Sequence, residues 1–122
     1  VVDSFGVVQF ANRAALTQCL SNLLSNAVRF INEGTVPRVQ VSAHDEGGTV
    51  VIRISDNGYG IAASDQSRIF DLFFQARRGG EGTGIGLAIV KRAAERMGGK
   101  VLLESTSASG STFALYLRAP GA

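Results

Sequence analysis

Three groups of residues in this chain have types and spacings suited to holding a phosphorylated ligand. The first is Gly82-Thr83-Gly84-Ile85-Gly86-Leu87, where three glycines alternate with other residues ahead of an apolar-periodic segment running to Met97. A glycine loop lets the backbone approach an anion closely. The first turn of the following helix adds unpaired N–H groups and the positive end of a dipole, so phosphate is the natural guest. Standing alone, such a run also reads as a surface linker. The second group is Asn22, Asn26 and Arg29, four and three residues apart on one helical face. Amide oxygens ligate Mg²⁺ or orient water, and a guanidinium contacts phosphate; a solvated polar face is the plainer alternative. The third is Asp56-Asn57-Gly58-Tyr59-Gly60-Ile61 at the end of a strand pattern. Here Asp56 offers an acceptor to a ligand amine, and Gly58 and Gly60 let the chain pass close to a flat ring. An ordinary Asx turn is the competing reading.

The remaining composition bounds the class. The chain has 122 residues, 45% hydrophobic and 18% charged, which suits one globular domain with a modest core. A net charge of +2 does not argue for a nucleic-acid surface. No apolar run approaches the roughly 20 residues of a membrane span, and no signal-peptide pattern is present. Cys19, the single cysteine, excludes an intrachain disulfide and falls on an apolar helical face, where it reads as packing. The chain opens on Val1, and it is expected to be one domain over residues 1–122, core 13–118, excised from a longer protein.

The elements that must position these groups follow from periodicity. Val7-Val8-Gln9-Phe10 is read as a short strand, and Asn12 as the cap of a helix running to about Phe30. Leu16, Leu20, Leu23, Leu24, Ala27 and Ile31 gather on its apolar side. Val39, Val41 and Ala43, then Val50, Ile52 and Ile54, alternate around Glu46-Gly47-Gly48 and predict a hairpin. His44 lies at that hairpin's end with no partner cluster. Ser64 caps a short helix containing Gln66, Arg68, Ile69 and Phe70, and the run Ile69 to Phe74 holds three of the seven phenylalanines. Residues 75–81 are polar, like a mobile loop. The helix after Leu87 ends at Gly98-Gly99, and a second hairpin follows, with Phe113, Leu115 and Leu117 alternating. The order predicts an α+β fold: a two-layer α/β sandwich with a mixed, mostly antiparallel sheet and helices on one face. No Gly-Lys-Thr/Ser follows the glycines, and no βαβ unit surrounds them, which excludes the common phosphate loop and the dinucleotide fingerprint.

Four stretches, taken together, resemble the catalytic ATP-binding domain of bacterial sensor histidine kinases, within the wider gyrase/Hsp90/histidine-kinase/MutL group. Asn22 to Phe30 is similar to the family's N box, Asp56 to Ile61 to its G1 box, Ile69 to Phe74 to its F box, and Gly82 to Val90 to its G2 box. Gly110-Ser111-Thr112-Phe113 is similar to its last hairpin. Two departures stand out: Leu72 where a proline is common, and Ala62-Ala63 where a proline or polar residue is common. Both lie outside the ligand contacts that the resemblance implies.

That resemblance implies a Bergerat-type fold and a set of roles. Asn26 would ligate Mg²⁺, Asn22 would line the metal–phosphate region, and Arg29 would reach the phosphates. Asp56 would take the adenine amino group, Gly58 and Gly60 would flank the base, and Ile61 would complete that end. Gly82, Thr83, Gly84, Ile85, Gly86 and Leu87 would run along the phosphates, with residues 75–81 as a short lid and Thr112 among the nucleotide contacts. ATP and Mg²⁺ are the implied cofactors. The γ-phosphate would go to a histidine on the protein's own dimerisation domain, upstream of a response regulator. The domain alone would be monomeric and inactive, without nucleic-acid partners, and cytoplasmic, in one version as the cytoplasmic part of an inner-membrane sensor. Two other readings accompany this one. An ATP hydrolase or serine kinase of the same superfamily would usually carry Glu at the position of Asn22, as a water-activating base in the hydrolase; an amide accepts no proton at neutral pH. A nucleotide-sensing scaffold without transfer is the reading of a different class.

Overall fold

The computed structural model describes residues 2–71, 74 and 86–118, with side chains from 13 to 117 within those ranges. The elements run α1 (Val2–Arg29), β1 (Val39–Glu46), β2 (Thr49–Asp56), α2 (Gly86–Arg96), β3 (Lys100–Ser107) and β4 (Gly110–Arg118). The strands form one sheet in the order β1-β2-β4-β3, with every pairing antiparallel among the described residues, in keeping with the mostly antiparallel sheet of the expected two-layer sandwich. β1 and β2 meet in a two-residue turn, Gly47-Gly48, with φ of 65° and 90°. Two successive positive φ values make the turn whose twist matches the flanking strands, which is why glycine occupies both positions.

One sheet face and two helices build the core. Val50, Ile52 and Ile54 of β2 lie opposite Leu117, Leu115 and Phe113 of β4, and none of the six is more than 3% exposed. Leu16, Cys19, Leu23 and Ala27 of α1 and Val90 and Ala94 of α2 close over that same face. Burial pushes the Cys19 thiol up to about 11, as expected for a group packed like a small hydrophobe. α2 ends in paired caps, Gly98 N–H to Glu95 O at 3.1 Å and Gly99 N–H to Ala94 O at 2.8 Å. On the opposite sheet face, Arg53 Nε and Nη1 reach Glu104 Oε1 at 2.8 Å and Glu46 Oε2 at 3.2 Å. The Glu104 bond, then the Glu46 bond, raise the guanidinium's pKa, and the same Arg53 bond holds the Glu104 carboxyl below its usual range. Among the described residues, no helix is long and apolar enough to cross a membrane.

Several local expectations change. Val7–Phe10 lies within α1, so it is helix rather than strand, and Asn12 sits inside the helix rather than capping it. A four-residue apolar run carries no period that separates the two states. The segment pairs with neither sheet edge, and extending an existing helix costs little once its nucleus has formed. The helix expected after Ser64 is instead a series of turns, closed by Asp65 N–H to Ala62 O, Arg68 N–H to Asp65 O and Asp71 N–H to Arg68 O. Leu24, expected in the core, is 39% exposed, while Asn26, expected on the polar face, is 8% exposed. α2 packs along the flank of α1 that carries Cys19 and Asn22, while the Leu24–Val28 flank stays open.

Candidate functional site

The site begins where β2 ends. Asp56 Oδ1 accepts hydrogen bonds from Gly58 N–H at 2.9 Å and Ser111 N–H at 3.1 Å. The Asx turn is therefore present, but it occupies one oxygen. Among the described residues no donor reaches Oδ2. The carboxylate thus spends one oxygen on holding its loop, and the other has no donor among the described residues.

The glycines after it answer to the protein's own backbone. A Cβ at Gly58 would stand 2.0 Å from Phe30 O, and one at Gly60 would stand 2.2 Å from Ser107 O; Gly60 also has φ of 85°. Neither site accepts a side chain. Tyr59 N–H donates to Phe30 O at 3.0 Å, and the Tyr59 ring meets Phe30 edge-on with centroids 6.0 Å apart. Tyr59 is thus a packing residue that ties the loop to the end of α1. Ile61 N–H donates to Thr106 Oγ1 at 3.0 Å, and Thr106 and Ser111 share a hydroxyl bond of 2.7 Å.

The α1 residues approach from the other side. An added Cβ on Gly86 would lie 3.6 Å from Asn22 Oδ1, which puts the Asn22 amide at the first residue of α2. Asn26, one turn further on, is a buried amide with no hydrogen bond to another described residue. It is not sealed, because no side-chain polar atom of the described residues is both fully enclosed and unpaired. A buried amide left without a partner costs free energy unless a ligand or water takes it up. Arg29, exposed in the last turn of α1, holds its guanidinium 6.0 Å from the Phe30 ring centroid. It also complements the negative end of the helix dipole.

Gly86 and Leu87 open α2, and Leu87 packs against the core. Gly82, Thr83, Gly84 and Ile85, the 75–81 segment, Leu72 and Phe73 lie outside the described residues. Thr112 does not face Asp56. It pairs with Ser55 across β2 and β4, with hydroxyls 2.8 Å apart, on the sheet face opposite Ile54 and Phe113. Ser111, one residue earlier, meets Asp56. The signal was in the alternation: with Phe113 inward, Ser111 shares its side and Thr112 does not. His44 is exposed on β1 opposite Val51, apart from this site. Among the described residues no cluster of His, Cys, Asp and Glu could hold a metal ion by itself.

The family described as histidine kinase-, DNA gyrase B-, and HSP90-like ATPase matches residues 11–121. The chain belongs to that family. It is 42% identical over 110 residues to the aerobic respiration control sensor protein ArcB of Escherichia coli, covering 86% of this chain and 14% of ArcB. It is 41% identical over 106 residues to the sensor-like histidine kinase SenX3 of Mycolicibacterium smegmatis, covering 84% of this chain and 27% of SenX3. Among solved structures, the catalytic domain of histidine kinase ThkA superposes with a TM-score of 0.75 at 27% identity, over 88% of this chain and 68% of that one. Full-length ShkA, solved in complex with AMPPNP, superposes with a TM-score of 0.74 at 32% identity, over 88% of this chain and 22% of that one. The ATPase-type fold is thus shared with histidine kinases, while the chain spans a small fraction of the sensor proteins that it matches.

Proposed function

We propose that this chain binds ATP with Mg²⁺ and presents the γ-phosphate to a histidine on a separate dimerisation domain of the same protein, which then supplies a response regulator. The observation that carries the reading is the divided use of Asp56: Oδ1 is locked by Gly58 and Ser111, and Oδ2 is left as an acceptor. An acceptor fixed in this way favours the amino group of adenine over the oxo group of guanine. Asn22 stands about 12 Å from Phe30 along α1 at 1.5 Å per residue. Phe30 is where α1 meets the Asp56 loop. That span suits a nucleotide lying with its base at Asp56 and its phosphates at the start of α2. Ser111, rather than Thr112, joins Asp56 at the base end.

The Asn26 amide, buried yet still open to solvent, fits a hard cation that prefers oxygen ligands and keeps most of its shell from phosphate and water. Mg²⁺, when bound, supplies positive charge against the phosphate oxygens. Asn22 orients the phosphate end and, being an amide, withdraws no proton from water. The nucleophile and its base therefore come from elsewhere, which favours transfer over hydrolysis. The reading is tested with radiolabelled ATP, the chain alone, and the chain with its upstream helical region added in trans, each repeated with Asn26→Ala. Acid-labile, base-stable label only on the added region, lost with Asn26→Ala, is the expected result. Label on His44 would contradict the division of labour, and binding without transfer would move the chain to the nucleotide-sensing class.

A further inference from the structure

The three residues after Asp56 are each in contact with the segment that joins α1 to β1. Tyr59 N–H is bonded to Phe30 O, and Gly58 packs its bare Cα against the same carbonyl. Asn57 spends both ends of its amide there: Oδ1 accepts from Arg38 N–H at 2.7 Å, and Nδ2 donates to Val36 O at 3.1 Å. The stretch that it holds is otherwise open. Val36 is 74% exposed, and among the described residues the other hydrogen bond within 32–38 is the turn from Thr35 N–H to Asn32 O.

We infer that Asn57 is a positioning residue for recognition of the base, acting through Asp56; this rests on the nucleotide-binding reading above. The carboxylate's Oδ1 is held by Gly58 N–H and Ser111 N–H, and Tyr59 N–H is held by Phe30 O, against which Gly58 packs. Asn57 links the carboxylate residue to Gly58, and its amide ties that link to the 36–38 stretch. Ser111 grips Oδ1 from β4, and the two Asn57 bonds steady the Gly58 side of the same grip, on which the direction of Oδ2 depends. A single directional hydrogen bond to an amino group loses strength steeply with misalignment. Contacts to the phosphates are made by other elements and do not depend on this angle. Loss of the Asn57 clasp therefore weakens the reading of the base more than it weakens nucleotide binding as a whole.

The test measures, by calorimetry on this chain with Mg²⁺ present, the affinities of ADP and of inosine diphosphate, which carries an oxo group where adenine has the amino group. In Asn57→Ala the preference for ADP falls about fivefold, the scale of one net hydrogen bond, while the affinity for inosine diphosphate is unchanged. Asn57→Asp keeps the acceptor for Arg38 N–H and loses the donor to Val36 O, so it gives an intermediate preference and decides the matter if the alanine variant does not fold. In an Asp56→Asn background, Asn57→Ala shifts the preference no further. A parallel drop for both nucleotides would mean a merely structural role and would overturn the inference, as would an unchanged preference in both variants. A parent chain that binds the two equally would overturn the base-reading role of Asp56 and, with it, this inference.

Discussion

Replacing Asp56 by Asn separates what its carboxylate does for the fold from what it does for a ligand. Oδ1 faces two N–H donors, from Gly58 and Ser111. In the asparagine the carbonyl oxygen must take that place, because an NH₂ group there would point at two donors. The NH₂ is thereby forced into the free position and aims a donor at the adenine amino group. The fold keeps both loop hydrogen bonds, so the melting temperature changes little. The ligand loses a charge-assisted bond worth roughly 1.5–3 kcal/mol, about 10- to 150-fold in Kd. Asp56→Ala behaves differently. It strands the backbone N–H groups of two buried residues, Gly58 and Ser111, at about 1–3 kcal/mol each, so stability falls along with affinity. Calorimetry with a non-hydrolysable ATP analogue, paired with urea denaturation of both variants, reads the two effects apart. An Asn variant with native stability and unchanged affinity would refute the assignment of Oδ2 to the base.

Further expectations follow from the packing and the ionisable groups. Gly60→Ala combines a positive φ with a Cβ 2.2 Å from Ser107 O and should cost about 2–4 kcal/mol, whereas Gly34→Ala, at φ of 82° with nothing within 4 Å, should cost only about 1–2 kcal/mol. Equal losses in urea denaturation would show that close approach is not what requires glycine at position 60. The Cys19 thiol, raised from 9.0 to about 11, favours the folded state while it remains neutral. Its contribution is complete below the unfolded value and declines as pH rises through the folded one, so between about pH 9 and pH 11 the wild type should lose more stability than Cys19→Ala. Glu104 has its pKa lowered by Arg53, so its contribution is present above the ordinary carboxylate value and is lost as pH falls through the depressed folded value. Glu104→Gln should flatten that acid limb slightly, and salt should shrink the difference; an acid limb unchanged by the substitution would remove the pair from the account of stability.

The strand positions of the core were legible from alternation, because a pleated sheet with one covered face imposes a period of two wherever it occurs. Val50, Ile52 and Ile54, and Phe113, Leu115 and Leu117, needed no tertiary information. The buried state of Cys19 and the two hairpins were legible for similar local reasons. The family resemblance was legible because four short boxes stand in order, and each is a local run of residue types that needs no tertiary information to read. The helix flanks were not legible. Leu24 is exposed and Asn26 is buried, the reverse of the expected faces, because 3.6-residue periodicity marks a stripe without naming the neighbour beside it. Glycine at 58 and 60 was predictable as a need for close approach, yet the partner was not: the sequence suggested a ligand ring, and the folded chain supplies Phe30 O and Ser107 O. The division of labour between the oxygens of Asp56 likewise depends on Ser111, 55 residues away in the chain. Which atom is left free for a ligand is a property of the contacts that have already used the others, and such contacts exist only once distant segments have been brought together.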